Sequence, residues 1–226
     1  MSWSRTVGTP EQARAALADP GDALDLRAAA SPGPGWRELG FTELAPGELV
    51  LPVPQVLRGV ERTRALGARL AGALRAGDLV VLSGPLGAGK TALAQGIGAG
   101  LGVVGRVTSP TFVLARVHRG PLPLVHVDAY RLRGTDSDSG TGTGSGALEL
   151  DDLDLDADLP RSVVVVEWGE GLVEGLSDAR LEVHLDRPRR GSGTAGAGGG
   201  AAEDADDERT AAVRAHGARW SAVHLH

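Results

Sequence analysis

The residues with the clearest chemical potential lie between 84 and 91, where the chain reads GPLGAGKT. This stretch satisfies G-x-x-x-x-G-K-[ST], the pattern of a phosphate-binding loop. Its glycines let successive backbone N–H groups converge on a phosphate, and the helix that follows directs its positive dipole end to the same anion. In such a loop Lys90 contacts the β- and γ-phosphates of a nucleotide, and the Thr91 hydroxyl binds Mg²⁺. The predicted nucleotide contacts are Gly84, Pro85, Leu86, Gly87, Ala88, Gly89, Lys90, Thr91 and Ala92.

The single lysine of the chain strengthens this interpretation. Lys90 is the only lysine among 23 lysines and arginines, whereas glycine is common, with 34 residues in 226. A lysine placed at random in this composition would complete the pattern only about once in 400. An arginine-rich chain with one lysine in this loop indicates that a compact ammonium is needed there. The alternative is an ordinary glycine-rich turn, but the flanking strand and helix also fit a phosphate-binding loop.

Two carboxylates follow apolar runs that are typical of buried strands. Asp128 ends an apolar stretch at 122–128, which suits direct or indirect coordination of Mg²⁺ beside a phosphate loop. Glu167 ends a run of four valines, so it is a metal ligand, a group that orients the attacking water, or a surface residue at a strand end. His126 has no second histidine at ligand spacing, and we interpret it as structural.

A turn rich in hydroxyl groups separates the loop from the first of these strands. Thr108, Ser109, Pro110 and Thr111 form either an ordinary Ser-Pro turn or a switch segment whose hydroxyls sense the γ-phosphate. Alternating residues then predict a strand through Phe112, Leu114 and Arg116. The two interpretations differ in whether the hydroxyl groups contact a nucleotide.

The remaining pattern predicts an α/β domain with extensions. Helices are expected at 60–76 and 90–101, strands at 79–82 and 180–186, a short acidic helix near 147–160, and a final hairpin from 209 to 223. Residues 1–52 are predicted to be an N-terminal extension, for which order and partial disorder fit equally well. The domain should span 53–226, with flexible insertions at 134–146 and 191–203 that are rich in Gly, Ser, Thr or Ala.

The composition argues against several classes of protein. The net charge of −6 disfavours a protein that coats nucleic acid, and the absence of cysteine excludes disulfides, thiolate metal sites and cysteine nucleophiles. No apolar run approaches the roughly 20 residues needed to cross a membrane. The first residues show no apolar signal-peptide core. We therefore expect a soluble cytoplasmic protein.

Four stretches in a fixed order carry a resemblance to a known family. They are TRALGARLAGALRAGD at 63–78, GPLGAGKT at 84–91, SPTF followed by HVDAYRL between 109 and 132, and VVVVEWGEGL at 163–172. Together they resemble the bacterial TsaE family of tRNA threonylcarbamoyladenosine biosynthesis proteins, which are small P-loop ATPases. The match covers roughly residues 60–186, and a looser match of the tail places Arg209 in the last hairpin.

This resemblance implies a P-loop NTPase-like three-layer α/β fold with a mixed central sheet. It implies hydrolysis of ATP with Mg²⁺, in support of the two-protein tRNA threonylcarbamoyl-transferase complex that modifies the adenosine beside the anticodon. Contact with tRNA would be indirect, and no DNA or membrane would be involved. By position, Lys90, Asp128 and Glu167 would be catalytic, Thr91 with the two carboxylates would surround Mg²⁺, and Trp168 and Arg209 would lie near the nucleotide. Residues 108–111 would be the switch.

Two other functions remain open from the sequence. A small-molecule kinase would need an arginine-bearing lid and an acceptor pocket, for which the stretch at 134–146 is a poor candidate. A nucleotide-binding regulatory module would bind ATP tightly without useful turnover.

Overall fold

The computed structural model describes seven ranges of the chain, namely residues 4–18, 25–28, 42–45, 48–111, 113–133, 159–187 and 208–220. The predicted insertions at 134–146 and 191–203 lie outside these ranges, and so does most of the predicted acidic helix near 147–160. Within the described ranges, no helix has the length and apolar character needed to cross a membrane.

The N-terminal extension contains a small sheet of its own. Its elements are β1 (Ser4–Val7), α1 (Pro10–Ala18), β2 (Asp25–Ala28), β3 (Thr42–Ala45) and β4 (Glu48–Pro52), and the strand order is β1-β2-β4-β3. Buried Val7, Leu26 and Val53 belong to its apolar core. The Arg27 guanidinium donates a hydrogen bond to the carbonyl of Trp220 at 3.2 Å, so the extension contacts the end of the main domain. The division of the chain at residue 52 stays a prediction.

The main domain is built on a seven-stranded mixed sheet. Its strands are β5 (Gln55–Arg58), β6 (Leu79–Ser83), β7 (Ala115–His118), β8 (Leu124–Asp128), β9 (Val163–Glu167), β10 (Arg180–Asp186) and β11 (Glu208–His216). The order across the sheet is β5-β11-β10-β6-β9-β8-β7. The four central strands β10, β6, β9 and β8 are mutually parallel, and the outer pairs are antiparallel. The predicted mixed α/β fold is confirmed.

Apolar strand residues explain why both faces of this sheet are covered. β6, β8 and β9 are buried at every position, as expected of central parallel strands. On one face pack α2 (Val60–Ala71) and α3 (Lys90–Gly100). The opposite face packs against Leu114, Leu172 and Leu176, so in the described ranges this layer consists of loops and a 3₁₀ turn at Glu174–Leu176.

Glycines let the two main helices approach closely. A β-carbon at Gly96 of α3 would lie 2.1 Å from the Arg64 carbonyl oxygen, and one at Gly67 of α2 would lie 2.3 Å from the Leu93 carbonyl oxygen. These glycines lower intrinsic helix stability, so the α2–α3 contact is what holds α3 in place. Since α3 begins at Lys90, this contact also positions the phosphate loop.

One predicted helix and one predicted strand have different bounds in the structure. α2 ends at Ala71 rather than near residue 76, because the chain turns at Gly72, and Leu74 is buried in the following turn. Leu114 has a left-handed φ of 64°, so β7 begins only at Ala115.

The first strand of the predicted terminal hairpin is present, but the described residues after it do not form the returning strand. Glu208–His216 is one long strand, which pairs with β10 on one side and β5 on the other. Gly217 does turn the chain, with a φ of 86°, but it leads into a 3₁₀ turn at Ala218–Trp220 rather than a returning strand. Residues 221–226 lie outside the described ranges.

Candidate functional site

The candidate site lies where the central parallel strands end. In the ladder Asp128 of β8 stands opposite Glu167 of β9, and Glu167 stands opposite Leu82 of β6, which leads into the phosphate loop. Ligands of open α/β sheets bind at this edge of the sheet. A cavity of about 270 Å³ opens here, lined by Leu86, Gly87, Gly89, Lys90, Thr91, Ser109, Thr111, Asp128, Glu167 and Trp168.

The loop between β6 and α3 needs glycine at fixed positions. Gly84, Gly87 and Gly89 have φ values of 128°, 78° and 108°, a region that side chains disfavour. A β-carbon at Gly84 would also lie 1.9 Å from the carbonyl oxygen of Leu185 on β10. This backbone presents the N-terminus of α3 to the cavity, as a phosphate-binding loop requires.

The Lys90 ammonium is folded back onto the loop. It donates hydrogen bonds to the carbonyl oxygens of Gly84 at 2.7 Å and Pro85 at 2.9 Å, and it lies 3.5 Å from the centroid of a Trp168 ring. Burial lowers the pKa of Lys90 to about 8, although Glu167 and Asp128 nearby act in the opposite direction. The site therefore partly desolvates its lysine, and an anion bound beside it would favour the protonated form.

The second part of the site is a chain of contacts centred on Glu167. Thr91 Oγ1 donates to Glu167 Oε1 at 2.9 Å, with Oε2 at 3.2 Å. His126 Nε2 lies 2.9 Å from the same Oε1 atom. Glu167 is 3% exposed, so the interpretation as a surface residue at a strand end is wrong. His126 was expected to be structural, but it contacts a carboxylate of the site.

The switch segment is tied to the other carboxylate. Thr111 Oγ1 donates to Asp128 Oδ2 at 2.6 Å, and Ser109 Oγ lies 3.3 Å from the same oxygen. The two hydroxyl oxygens are 2.6 Å apart. The backbone N–H of Tyr130 donates to Asp128 Oδ1 at 3.0 Å. Asp128 is thus an acceptor that links the strand end of β8 to the hydroxyl-rich turn.

Only half of the predicted switch faces the cavity. Pro110 is buried, and Thr108 accepts a hydrogen bond from Arg116 on β7. Neither residue belongs to the cavity lining, whereas Ser109 and Thr111 do. Pro110 instead fixes the turn that places the two hydroxyls beside Asp128.

Trp168 adopts a left-handed backbone conformation to reach the cavity. Its φ is 63°, and its N–H donates to the Leu82 carbonyl oxygen of β6 at 2.9 Å. Its side chain contacts Lys90 and packs at a tilt of 58° against half-exposed Tyr130, with ring centroids 5.1 Å apart. A non-glycine residue at positive φ is uncommon outside functional sites and tight turns.

Two guanidinium groups flank the phosphate loop. Arg209 on β11 is buried, and its Nη1 would lie 3.3 Å from a β-carbon placed at Gly89. Arg187, just after β10, has its Nη1 3.7 Å from such an atom at Gly87. The family resemblance implied a place near the nucleotide for Arg209, but neither it nor the spacing of residues indicated Arg187. Neither side chain is part of the cavity lining.

The oxygen donors of the site suit Mg²⁺ that is bound together with a nucleotide. Thr91, Asp128 and Glu167 offer a hydroxyl and two carboxylates, the ligand types that Mg²⁺ prefers. The described ranges hold no group of three or more His, Asp or Glu side chains arranged as a complete metal site. Mg²⁺ that is bound together with a nucleotide takes one or two carboxylates from the protein and completes its shell with phosphate oxygens and water.

A larger cavity lies away from these residues. It measures about 550 Å³ and is lined by β5 and α2, including Arg58, Arg62 and Arg69. No residue of the phosphate loop or of the switch segment lines it. The chemical groups, rather than the cavity size, therefore mark the smaller cavity as the candidate site.

Comparison with known proteins agrees with this geometry. The family model described as "Threonylcarbamoyl adenosine biosynthesis protein TsaE" matches residues 57–193. A tRNA threonylcarbamoyladenosine biosynthesis protein TsaE from Streptomyces coelicolor is 52% identical over 162 residues, which are 70% of this chain and 93% of the relative. A protein of the same name from Mycobacterium tuberculosis is 57% identical over 132 residues, or 57% of this chain and 75% of the relative.

A solved structure has the same architecture. The crystal structure of YdiB from Bacillus subtilis superposes with a TM-score of 0.51 at 28% identity, and the match covers 74% of this chain and 88% of that one. The family match spans the phosphate loop, the switch segment and both strand-end carboxylates. The chain therefore belongs to the TsaE family of threonylcarbamoyl adenosine biosynthesis proteins.

Proposed function

We propose that this protein is a Mg²⁺-dependent ATPase that supports the threonylcarbamoyl modification of the tRNA adenosine beside the anticodon. The observation that supports this most is that Lys90, Thr91, Asp128 and Glu167 converge on one cavity in a member of the TsaE family. Its relatives are named for tRNA threonylcarbamoyladenosine biosynthesis, and the positive φ values of Gly84, Gly87 and Gly89 support a phosphate-binding role for the loop.

In this proposal the loop binds the triphosphate, and its lysine exchanges partners. The Lys90 ammonium leaves the carbonyl oxygens of Gly84 and Pro85 and contacts the β- and γ-phosphates. Thr91, Asp128 and Glu167 would hold Mg²⁺, which neutralises the charge that develops on the phosphates. Glu167 binds the metal directly or orients the attacking water. Water adds to the γ-phosphorus, the bond to the ADP oxygen breaks, and ADP and phosphate leave.

The hydroxyl-rich turn would report the state of the nucleotide. Ser109 and Thr111 bond to Asp128 in this structure, and Asp128 is a proposed metal ligand. If Asp128 holds the metal, these hydroxyls would be free to contact the γ-phosphate, and the turn would change its contacts during each hydrolytic cycle.

The proposed partners follow from the family. The protein would act with the two-protein tRNA threonylcarbamoyl-transferase complex in the cytoplasm and would contact tRNA only indirectly. The net charge of −6 is consistent with a helper that does not itself bind the tRNA backbone strongly.

Nucleoside mass spectrometry of bulk tRNA tests this function. Cells depleted of the protein are complemented with wild type or with Thr91→Ala, which removes the hydroxyl that now contacts Glu167. We expect threonylcarbamoyladenosine to disappear on depletion and to return only with wild type. Persistence of the modified nucleoside after depletion would refute the pathway, and full rescue by Thr91→Ala would refute the role of the metal site.

The lowered pKa of Lys90 predicts a pH dependence of ATP binding. With a pKa of about 8 in the free protein, Lys90 is protonated at pH 7 and loses its charge as the pH rises through 8. Phosphates favour the protonated form, so bound ATP raises this pKa, and affinity is full below about pH 8. Above it, affinity should fall by up to about tenfold per pH unit. Fluorescence titrations from pH 7 to 9.5 test this, and Lys90→Met should show a flat profile in that range.

A further inference from the structure

A buried histidine contacts the site from the interior of the sheet. His126 lies two residues before Asp128 on β8 and is fully buried. Its Nε2 atom is 2.9 Å from Glu167 Oε1 on the neighbouring strand β9. Since an ionised carboxylate only accepts hydrogen bonds, this contact requires a proton on Nε2. The imidazole therefore donates to Glu167.

The other ring nitrogen of His126 makes no comparable contact among the described residues. His126 Nδ1 is buried without a hydrogen-bond partner among the described residues. The ring of His118 lies with its centroid 6.4 Å from that of His126 and is tilted by 39°. An apolar side chain would fill this place in the sheet without leaving a buried nitrogen unpaired, which costs free energy. The Nε2 contact is thus the feature that distinguishes histidine from a valine or a leucine here.

The same carboxylate oxygen also accepts the Thr91 hydroxyl. Thr91 Oγ1 lies 2.9 Å from Glu167 Oε1, and so two donors hold one oxygen atom. Under the proposed function, the Thr91 hydroxyl would be a ligand of the metal that is bound with the nucleotide. Of the two donors, only His126 then remains to hold Glu167 in place.

We propose that His126 is a positioning residue that fixes the Glu167 carboxylate while Thr91 changes its partner. The inference rests on the proposed function, because it concerns turnover at the same site. His126 does not line the cavity, so it acts through Glu167 and not on ATP. Removal of its N–H should impair the chemical step more than nucleotide binding.

Kinetics of two substitutions separate positioning from packing. His126→Leu fills the space without an N–H and should lower kcat for ATP hydrolysis by at least about tenfold, with KM changed by less than about threefold. In His126→Gln the side-chain amide N–H can take the place of Nε2–H and should restore most of kcat. His118→Gln alters a neighbouring buried histidine that does not contact Glu167, and we expect wild-type kinetics. Equal losses in the Leu and Gln variants of His126 would overturn the proposal.

A double substitution tests whether His126 acts through Glu167. In a Glu167→Gln background, His126→Leu should cause no further loss of kcat, because the group that it positions is already impaired. An additional loss equal to that in the wild-type background would show that His126 acts independently, and would overturn the proposal.

A measurement without turnover tests the contact itself. Long-range ¹H–¹⁵N NMR of histidine-labelled protein reports which imidazole nitrogen carries the proton. We expect a slowly exchanging Nε2–H signal for His126 that shifts in Glu167→Gln and persists when ATP and Mg²⁺ are added. A proton on Nδ1 alone would overturn the proposal, even if His126→Leu failed to fold.

The proposed function and the positioning role fail in different ways. A wild-type protein that binds ATP without turnover, alone or with its partners, would refute both. A wild-type protein that hydrolyses ATP beside an equally active His126→Leu variant would refute positioning alone.

Discussion

Replacement of Glu167 by glutamine is expected to reduce kcat for ATP hydrolysis by at least about 100-fold while ATP still binds. The side chain is buried and accepts hydrogen bonds from Thr91 and His126, so its position is fixed by the protein. Glutamine has nearly the same shape but lacks the negative charge that a metal or an attacking water requires. Under the proposed function, Lys90 and the loop backbone would still contact the phosphates in this variant, and these contacts would provide most of the affinity.

The measurement compares single-turnover hydrolysis with the dissociation constant of a fluorescent ATP analogue. Glu170→Gln is the matched control, since Glu170 is exposed on the segment that follows β9. It should hydrolyse ATP at the wild-type rate. Undiminished hydrolysis in Glu167→Gln would exclude both proposed roles of this carboxylate. A large loss of binding with an unchanged kcat would show that Glu167 serves affinity instead.

Much of the site could be predicted because local pattern and local chemistry agree. Apolar runs that end in Ser83, Asp128 and Glu167 are β6, β8 and β9, and parallel strands bring their carboxyl ends together. The glycines of the phosphate loop are needed for its positive φ values, so the motif itself fixes the backbone. These features depend on short stretches of chain, and they were predicted correctly.

Contacts between strands that are far apart in the sequence could not be predicted. His126 and Glu167 are 41 residues apart and meet only because β8 lies beside β9. The turn signal at Gly217 predicts a local hairpin that contains β11. In the structure β11 also pairs with β5, about 150 residues earlier in the chain. Strand order of this kind is set by burial of whole faces and not by local sequence.

Strain at a single residue was also beyond prediction from the sequence. Trp168 follows a valine-rich strand and would be expected to continue as extended chain. Instead its φ of 63° brings its ring over Lys90, while its backbone N–H bonds to Leu82 on β6. The surrounding strands impose this conformation, so it becomes visible only when β6 and β9 are placed side by side.

Lys90→Arg is expected to weaken ATP binding by at least about tenfold and to lower kcat by at least about 100-fold, although the positive charge is kept. The Lys90 ammonium lies within hydrogen-bond distance of two loop carbonyls and 3.5 Å from the Trp168 ring centroid. A planar guanidinium is wider than an ammonium, so it can neither occupy this place nor move smoothly from the carbonyls to the phosphates. The 22 arginines elsewhere make the lysine at this one position informative.

Isothermal titration with ATP and Mg²⁺, together with phosphate-release kinetics, measures both effects. Lys90→Ala defines the full loss of ATP affinity and of kcat. The control is the reverse exchange at an exposed position, Arg62→Lys, which should leave both ATP affinity and kcat unchanged. If only the positive charge at this position mattered for ATP binding and hydrolysis, Lys90→Arg would behave as wild type. That result would show that the size and burial of the Lys90 ammonium have no role in catalysis. If shape matters, Lys90→Arg will resemble Lys90→Ala, because a cation that cannot reach the phosphates stabilises neither the bound nucleotide nor the transition state.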